Sequence, residues 1–406
     1  MKRIGVPARL AFAGTALTVL MAPVSALALE ADAFAERLKS ALEGVGYKVE
    51  YSGATLDGSN VVLEDVKLGV STVPDSLGVG QLTFEDVTEE NGTYRVARIG
   101  NTDVTGQLPP TPDGREGSFS IGEWAIENMV LPGEGDTSVS GILSAIGFGY
   151  DRVFLSDAEV SVGGTPVVTL ASAESTYDLN ATPTTFTADV TDMKVDLTVP
   201  PDPSGELTRW IEGTGYDAIE MDIDMDGSWD PASGLIDIPT YRFDLVDMGS
   251  LDMELKIGGY TTAFMDSLQQ VSQQMNSEDP QAQQAANMQM LGLVSQLQFG
   301  GFLLGFEDAG MTNRLLDYYA QTNGQTKDQL VQQTVNIMPL VLGQLQAPEL
   351  QAQIQEAVAS FLNDPKSITL SAKPDTMLAF PVLMGAAMSS PADLAKALNA
   401  QVTANQ

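Results

Sequence analysis

The sequence predicts an α+β protein: a large, mostly antiparallel, curved sheet with a helical C-terminal third packed against it. Three observations predict it. Apolar residues alternate with a period of two from about Tyr47 to Tyr260, and turn signals recur throughout that stretch; after Tyr260 the composition shifts to Gln, Ala, Met and Leu with helical spacing. The chain accordingly divides into an export signal (1–28), an N-terminal amphipathic helix (29–46), a β-rich region (47–260) and a helix-rich region with a few strands that rejoin the sheet (261–406).

The N-terminus carries Lys2, Arg3 and Arg9, then an uncharged apolar run from Leu10 to Met21, then Ala26-Leu27-Ala28 with small residues two positions apart. This is the pattern of a secretory signal cleaved after Ala28. The run is shorter than the ~20 residues of a spanning helix, and no later segment is long and apolar enough to cross a bilayer. The short basic region is bacterial in style, so the expected location is the periplasm. From Leu29 to Gly46, Phe34, Leu38, Leu42 and Val45 fall at helical spacing among Asp32, Glu36 and Glu43, which predicts one amphipathic helix.

In the β-rich region Glu90-Asn91-Gly92-Thr93 is the strongest hairpin signal, because Asn-Gly supplies the two positive φ angles of a type I′ turn. Gly163-Gly164, Thr182-Pro183 and Asp230-Pro231-Ala232-Ser233-Gly234 mark further turns. Pro109-Pro110-Thr111-Pro112 and Pro200-Pro201-Asp202-Pro203 are expected to break the run into three β-rich blocks. Beyond Tyr260, helices are predicted over Asp266 to Met275, Ala282 to Gln296, Met311 to Thr322, from Thr326 onward, Pro348 to Leu362 and Pro391 to Leu398. Asn323-Gly324 forms a left-handed stop, Thr326-Lys327-Asp328-Gln329 a capping box, and Pro339 a kink or end. Gln298 to Phe306 and Ser367 to Ala372 are predicted strands.

One phrase recurs: an apolar residue, any residue, Asp or Asn, then a small or medium apolar residue. It occurs as Leu63-Glu64-Asp65-Val66, Phe84-Glu85-Asp86-Val87, Ile126-Glu127-Asn128-Met129, Leu155-Ser156-Asp157-Ala158, Val190-Thr191-Asp192-Met193 and Phe306-Glu307-Asp308-Ala309, and in degenerate form as Val246-Asp247-Met248. Such a phrase breaks strict alternation, as at a β-bulge or strand bend where an Asp side chain bonds nearby backbone N–H groups. The uneven spacing excludes a regular solenoid or propeller. With the export signal, these phrases, the segment from Tyr241 to Gly249 and Phe306 to Met311 before a helix, the chain resembles bacterial AsmA-like and YdgA-like exported envelope proteins. The resemblance implies an envelope role and no catalytic residues. The cleavable signal departs from the anchor of many such proteins.

Composition removes whole chemistries. The chain has 54 acidic and 20 basic residues, no His and no Cys. Disulfides, thiol nucleophiles, Cys or His metal sites and a Ser-His-Asp triad are excluded. Removing the signal takes three positive charges and no negative ones, leaving 17 basic residues and a net charge of -37. That imbalance argues against nucleic acid or an anionic lipid surface as the main partner. No cofactor motif occurs.

Asp222-Ile223-Asp224-Met225-Asp226-Gly227 matches the first half of an EF-hand loop, but Ser233 stands where the bidentate Glu is needed and Pro231 interrupts it. A strand with three carboxylates in water fits better. Asp247 with Asp252, or Glu123 with Glu127 beside Trp124, would be the carboxylate pairs of a hydrolase acting on envelope glycan. Methionines (Met265, Met275, Met288, Met290 and Met311) and the apolar run from Met377 to Met388 suggest adaptable apolar surfaces. The expected ligand-contacting residues are Met377, Phe380, Val382, Met384 and Met388. The resulting expectation is a non-enzymatic envelope protein that binds a lipid-like ligand or an envelope partner, the alternatives being that hydrolase or an assembly factor without a pocket.

Overall fold

The computed structural model describes residues 29–70, 76–133, 148–179, 181–200, 202, 204–275 and 279–406. The export-signal reading of 1–28 lies outside the described residues. In chain order the elements are α1 (Ala31–Gly44), β1 (Tyr47–Glu50), β2 (Gly53–Asp57), β3 (Asn60–Val70), β4 (Ser76–Glu85), β5 (Thr88–Glu90), β6 (Thr93–Leu108), β7 (Gly117–Leu131), β8 (Arg152–Val162), β9 (Thr165–Asp178) and β10 (Thr184–Asp196). They continue with α2 (Glu206–Thr214), β11 (Ala218–Asp230), β12 (Leu235–Leu245), β13 (Gly249–Gly258), α3 (Thr262–Met275), α4 (Pro280–Val294), β14 (Gln298–Asp308), α5 (Met311–Thr322), α6 (Lys327–Leu342), α7 (Pro348–Asn363), β15 (Ser367–Ala372), β16 (Leu378–Ala379), α8 (Phe380–Ser389), α9 (Pro391–Ala397) and β17 (Ala400–Ala404). None of these helices is long and apolar enough to cross a membrane.

Among the described residues 17 strands form one open sheet, and every pairing between them is antiparallel. Pairing follows the chain. From β6 to β15 each strand pairs with the next, and β17 adds outside β15. Strands β1 and β2 lie end to end along β3, and β4 and β5 along β6. The proline-rich loops do not divide the sheet into three blocks. The first closes a hairpin in which Leu108 faces Gly117. The second leads into α2, a helix the period-two reading passes over, whose first turn is held by Asp202 accepting from the Thr208 N–H at 2.8 Å. The turns at Asn91-Gly92 and Gly163-Gly164 have the expected positive φ angles at both residues. The capping box at Thr326 forms, and α6 runs past Pro339 to Leu342.

The repeated Asp phrase has a backbone meaning. Asp65, Asp86, Asn128, Asp157, Asp192 and Asp247 all sit in the left-handed region, with φ between 48° and 58°. Asp and Asn are the side-chain-bearing residues that accept this conformation most readily. At Asp65 and Asp192 the register slips, so that two residues oppose one across the ladder, as in a bulge. The Asp65 and Asp86 carboxylates accept from the Ser52 and Ser59 hydroxyls, both at 2.8 Å. Asp308 alone acts on nearby backbone as expected, accepting from the Gly310 and Thr312 N–H groups at the start of α5.

These corners keep one face apolar. Leu63 and Val66, or Phe84 and Val87, are three residues apart and would fall on opposite faces of a regular pleat; both pairs are buried in one core. Two apolar rows then cross the sheet. One runs through Ile126, Val153, Ala188, Met225, Tyr241, Met253 and Leu304, interrupted by Ser175; the other runs through Trp124, Leu155, Ala173, Val190, Ile223, Phe243, Leu251 and Phe306.

The other face is acidic. Glu174, Asp189, Asp224, Arg242 and Asp252 form one cross-strand row. The Asp222-Asp224-Asp226 run lies within β11, so it is a strand and not a calcium loop. Among the described residues no cluster of carboxylates is arranged to hold a metal ion. Arginines sit between the acids: Arg152 donates twice to Glu174 at 2.8 Å, and Arg242 donates to Asp244 and Asp252 at 2.9 Å.

Two outcomes follow from this architecture. Asp192→Val forces a β-branched residue into the left-handed corner and lowers stability by about 1–2 kcal/mol, whereas Asp192→Gly is close to neutral; equal urea midpoints for the two variants would show the corner is absent. The Asp189 carboxyl is held above the usual aspartate range by burial and then by Asp224, Asp226 and Glu174. The folded state therefore binds this proton more tightly than the unfolded chain, and its contribution to stability falls as pH rises from the ordinary aspartate value through the raised one. Asp189→Asn gains about 0.5 kcal/mol at pH 7 and nothing at pH 3, measured by thermal unfolding at both.

Candidate functional site

Helix α1 forms because its apolar residues recur on one stripe, and that stripe lies on the apolar face of the first strands. Phe34 is fully buried and meets Phe84 and Tyr94 edge-on, with ring centroids 4.9 and 5.3 Å apart. Arg37 ties the helix to the end of β7, donating to the carbonyls of Pro132 at 2.7 Å and Gly133 at 3.3 Å.

Phe34 fills the space beneath its own turn of α1. One turn later the contact opens into a cavity of about 370 Å³ between α1 and strands β1, β3, β4 and β6 to β8, a size typical of small-molecule sites. Leu38 and Leu42 form its roof. Leu63 and Val66 of β3, Leu82 and Phe84 of β4, and Trp124, Ile126 and Met129 of β7 form its floor and far wall, with Phe148, Tyr150 and Val153 beside them. Among the described residues Lys48 is the one charged residue in the lining. The left-handed corners at Asp65 and Asn128 are what turn Leu63 with Val66, and Ile126 with Met129, to this side. Burial pushes the Tyr150 hydroxyl up to about 12, so it remains a neutral phenol.

Apolar surface continues outward from the cavity. Tyr150 meets Tyr177 edge-on at 5.0 Å, and Tyr177 stacks on Phe186 at 5.8 Å. Phe186 lies across Gly227 on the next strand, where an added Cβ would stand 2.3 Å from the ring. From there the central rows of β8 to β13 are half-buried, including Leu155, Val190, Ile223, Phe243 and Leu251.

The five residues expected to contact a ligand do not line this cavity. Met377 precedes β16 and packs over Gly258, and Phe380 begins α8, its N–H donating to the Leu297 carbonyl at 3.0 Å. Val382, Met384 and Met388 stand on α8 with 55%, 51% and 86% of their surface exposed. Met265 and Met290 pack in the small core of α3 and α4, while Met275 and Met288 are exposed. The carboxylate pairs also separate from the tryptophans. Trp124 faces the cavity, whereas Glu123 accepts from Arg98 at 2.6 Å and Glu127 lies 3.5 Å from Arg152. Asp252 is held by Arg242. Trp210 stacks on Tyr216, and buried Trp229 donates to the Tyr260 carbonyl at 2.8 Å.

The cavity residues are spread from 38 to 153 in the sequence, one to four from each strand that contributes. The legible signal for them is the spacing of three around each Asp or Asn of the repeated phrase. Fold and site together define an α+β protein built on an open antiparallel sheet, with an apolar cavity under its N-terminal helix. Over residues 242–405 the chain is similar to a family described as an uncharacterized protein. That match runs from β12 to the end of β17 and does not include the cavity. No curated protein matches the chain.

Removing the Phe34 ring leaves a void at the helix contact, so Phe34→Ala lowers the unfolding free energy by about 3–5 kcal/mol. Leu42→Ala, at a half-buried position fronting space that is already open, costs clearly less. Urea unfolding of both variants measures the difference, and equal losses would mean that the cavity is closed in solution.

Proposed function

We propose that the protein is an exported envelope protein of the periplasm that binds a lipid-like apolar ligand in the cavity beneath α1. One observation carries the reading: a cavity of about 370 Å³ whose lining has, among the described residues, a single charged residue and which opens onto an apolar sheet face. An apolar cavity of this size gains little from water, which needs polar partners to stay, and an acyl-like chain would exchange water for close contact along its length. The location rests on the basic, apolar and small-residue sequence of the first 28 residues, and it agrees with what the resemblance to AsmA-like and YdgA-like proteins implies. The lining offers shape and apolar contact, which suits holding or carrying a molecule.

Mass spectrometry of small molecules released from the natively purified protein tests this. The expected result is a co-purifying amphiphile or hydrocarbon that is lost in Ile126→Trp, a variant that fills the cavity from a half-buried position, with the circular dichroism spectrum unchanged. A well-folded sample that is ligand-free and takes up no Nile red would overturn the proposal.

A further inference from the structure

An open sheet ends in two edges, each a row of main-chain N–H and C=O groups without a partner strand. At the first edge β1 carries Lys48 and Glu50, and β2 ends at Asp57; charges and a break between two short strands blunt an edge against pairing. The last edge is β17, Ala400-Gln401-Val402-Thr403-Ala404. It has no charge, no proline and no bulge, on a chain of 54 acidic and 20 basic residues. Its register decides which groups are free. Thr403 faces Thr369, Ala404 faces Ile368, and the Asn405 N–H donates to the Ser367 carbonyl at 2.9 Å. Hydrogen-bonded pairs alternate along an antiparallel ladder, so Gln401, Thr403 and Asn405 bond across to β15 while the N–H and C=O of Val402 and Ala404 point away from it. The Val402 N–H accordingly turns to the Gln353 side chain of α7, at 3.4 Å, longer than the usual bond of this kind. Among the described residues the Val402 carbonyl and both main-chain groups of Ala404 have no hydrogen-bond partner.

Beside this row lies a cleft of about 320 Å³, with β17 from Gln401 to Ala404 as one wall and α7 as the other. Gln353, Glu356, Ala357 and Ser360 stand at i, i+3, i+4 and i+7, so a single face of the helix lines it. Ala357 is buried, and the other three are exposed. Among the described residues Glu356 is the one ionisable side chain in the lining, and it makes no ion pair.

A row of main-chain groups that repeats every two residues is matched by another extended chain with the same repeat, which brings its own N–H and C=O groups to the pairing. Helix α7 limits the entrant to a single strand, because a second copy paired edge to edge would bring its own α7 against this one. We infer that the cleft between α7 and β17 binds an extended segment of a partner protein, which adds to the sheet as one further strand and sets a Lys or Arg on Glu356. The formal net charge of -34 favours the same basic segment over an acidic one. Gln353 then holds the place of a carbonyl of that segment and gives way to it. This site lies at the opposite end of the sheet from the cavity beneath α1 and is independent of what that cavity holds.

The test is fluorescence anisotropy of the full chain with a labelled heptapeptide, Thr-Val-Thr-Lys-Thr-Val-Thr, and three relatives of it. One relative has glutamate for the lysine; the other two are N-methylated at alternate residues, one on the odd positions and one on the even. The parent peptide is expected to bind and the glutamate peptide to bind about tenfold more weakly. One N-methylated peptide loses binding and the other keeps it, because only one set of its N–H groups faces β17. Glu356→Gln removes the preference for lysine over glutamate, and Gln353→Ala tightens the parent peptide about twofold by freeing the Val402 N–H. Val402→Pro spares the ladder to β15, since the nitrogen it alters points outward, and abolishes binding with the circular dichroism spectrum unchanged. Where Val402→Pro unfolds, the N-methylated peptides and Glu356→Gln carry the decision. No binding of the parent peptide, equal behaviour of the two N-methylated peptides, or a lysine preference that survives Glu356→Gln overturns the proposal. A dimer in sedimentation equilibrium that Val402→Pro abolishes also overturns it and assigns the edge to a second copy. Dye uptake by the cavity is unchanged in all three variants whichever result is found.

Discussion

A single sheet with one apolar face is stable only where something removes that face from water. The whole arrangement of this protein answers to that constraint. At one end α1 lies across the first strands and buries Phe34, Leu38 and Ala35 against Leu63, Phe84 and Val96. At the other end α7 lies near β15 and β17, with Phe361 meeting Phe306 edge-on at 6.2 Å. Between these covers the apolar rows continue, broken in one of them by Ser175, but only half-buried. The cavity sits at the boundary, where the cover provided by α1 gives out before the apolar surface does.

The left-handed corners make so long a sheet possible with one consistent face. Each corner costs about 1–2 kcal/mol of backbone strain relative to an ordinary residue. Without it, every apolar side chain beyond that point in the strand would turn to the wrong side, at about 1.5–3 kcal/mol for each large one. The corner therefore wins wherever two or more such residues follow. Glycine partners accommodate some of the geometry: Gly122 faces the Asp157 corner across the ladder, and a Cβ there would stand 2.8 Å from that of Asp157. On the acidic face the matching device is electrostatic, with arginines spaced between carboxylates of adjacent strands.

Much of the fold was legible because its signals are local. The stripe of α1, the Asn91-Gly92 turn and the Thr326 capping box each depend on residues within a few positions of one another. The repeated Asp phrase was legible as a break in alternation, although its cause is backbone conformation more than side-chain bonding to the main chain. Elements without such signals were missed. Helix α8 is apolar all round and contains Pro381 and Gly385, β17 is five residues of modest character, and α2 hides behind a proline-rich loop. The site was not legible for a different reason. Its lining comes from α1 and from strands that meet only through register, while the most apolar continuous run, from Met377 to Met388, ends in a helix whose Val382, Met384 and Met388 face water.

Because almost every strand pairs with its neighbour in the chain, the sheet has a growth direction. Contacts between sequence neighbours close short loops and are reached quickly, so the sheet can extend hairpin by hairpin without waiting for distant segments. A chain presented from its N-terminus would complete α1, its first strands and the cavity before β14 to β17 were available to pair. At each intermediate stage the last strand is a free edge ready to accept the next. The final edge, β17, is met by α7, with Gln353 accepting from the Val402 N–H at 3.4 Å. The order of the chain thus doubles as an order of assembly, in which the apolar cavity comes first and the element that closes the growing edge comes last.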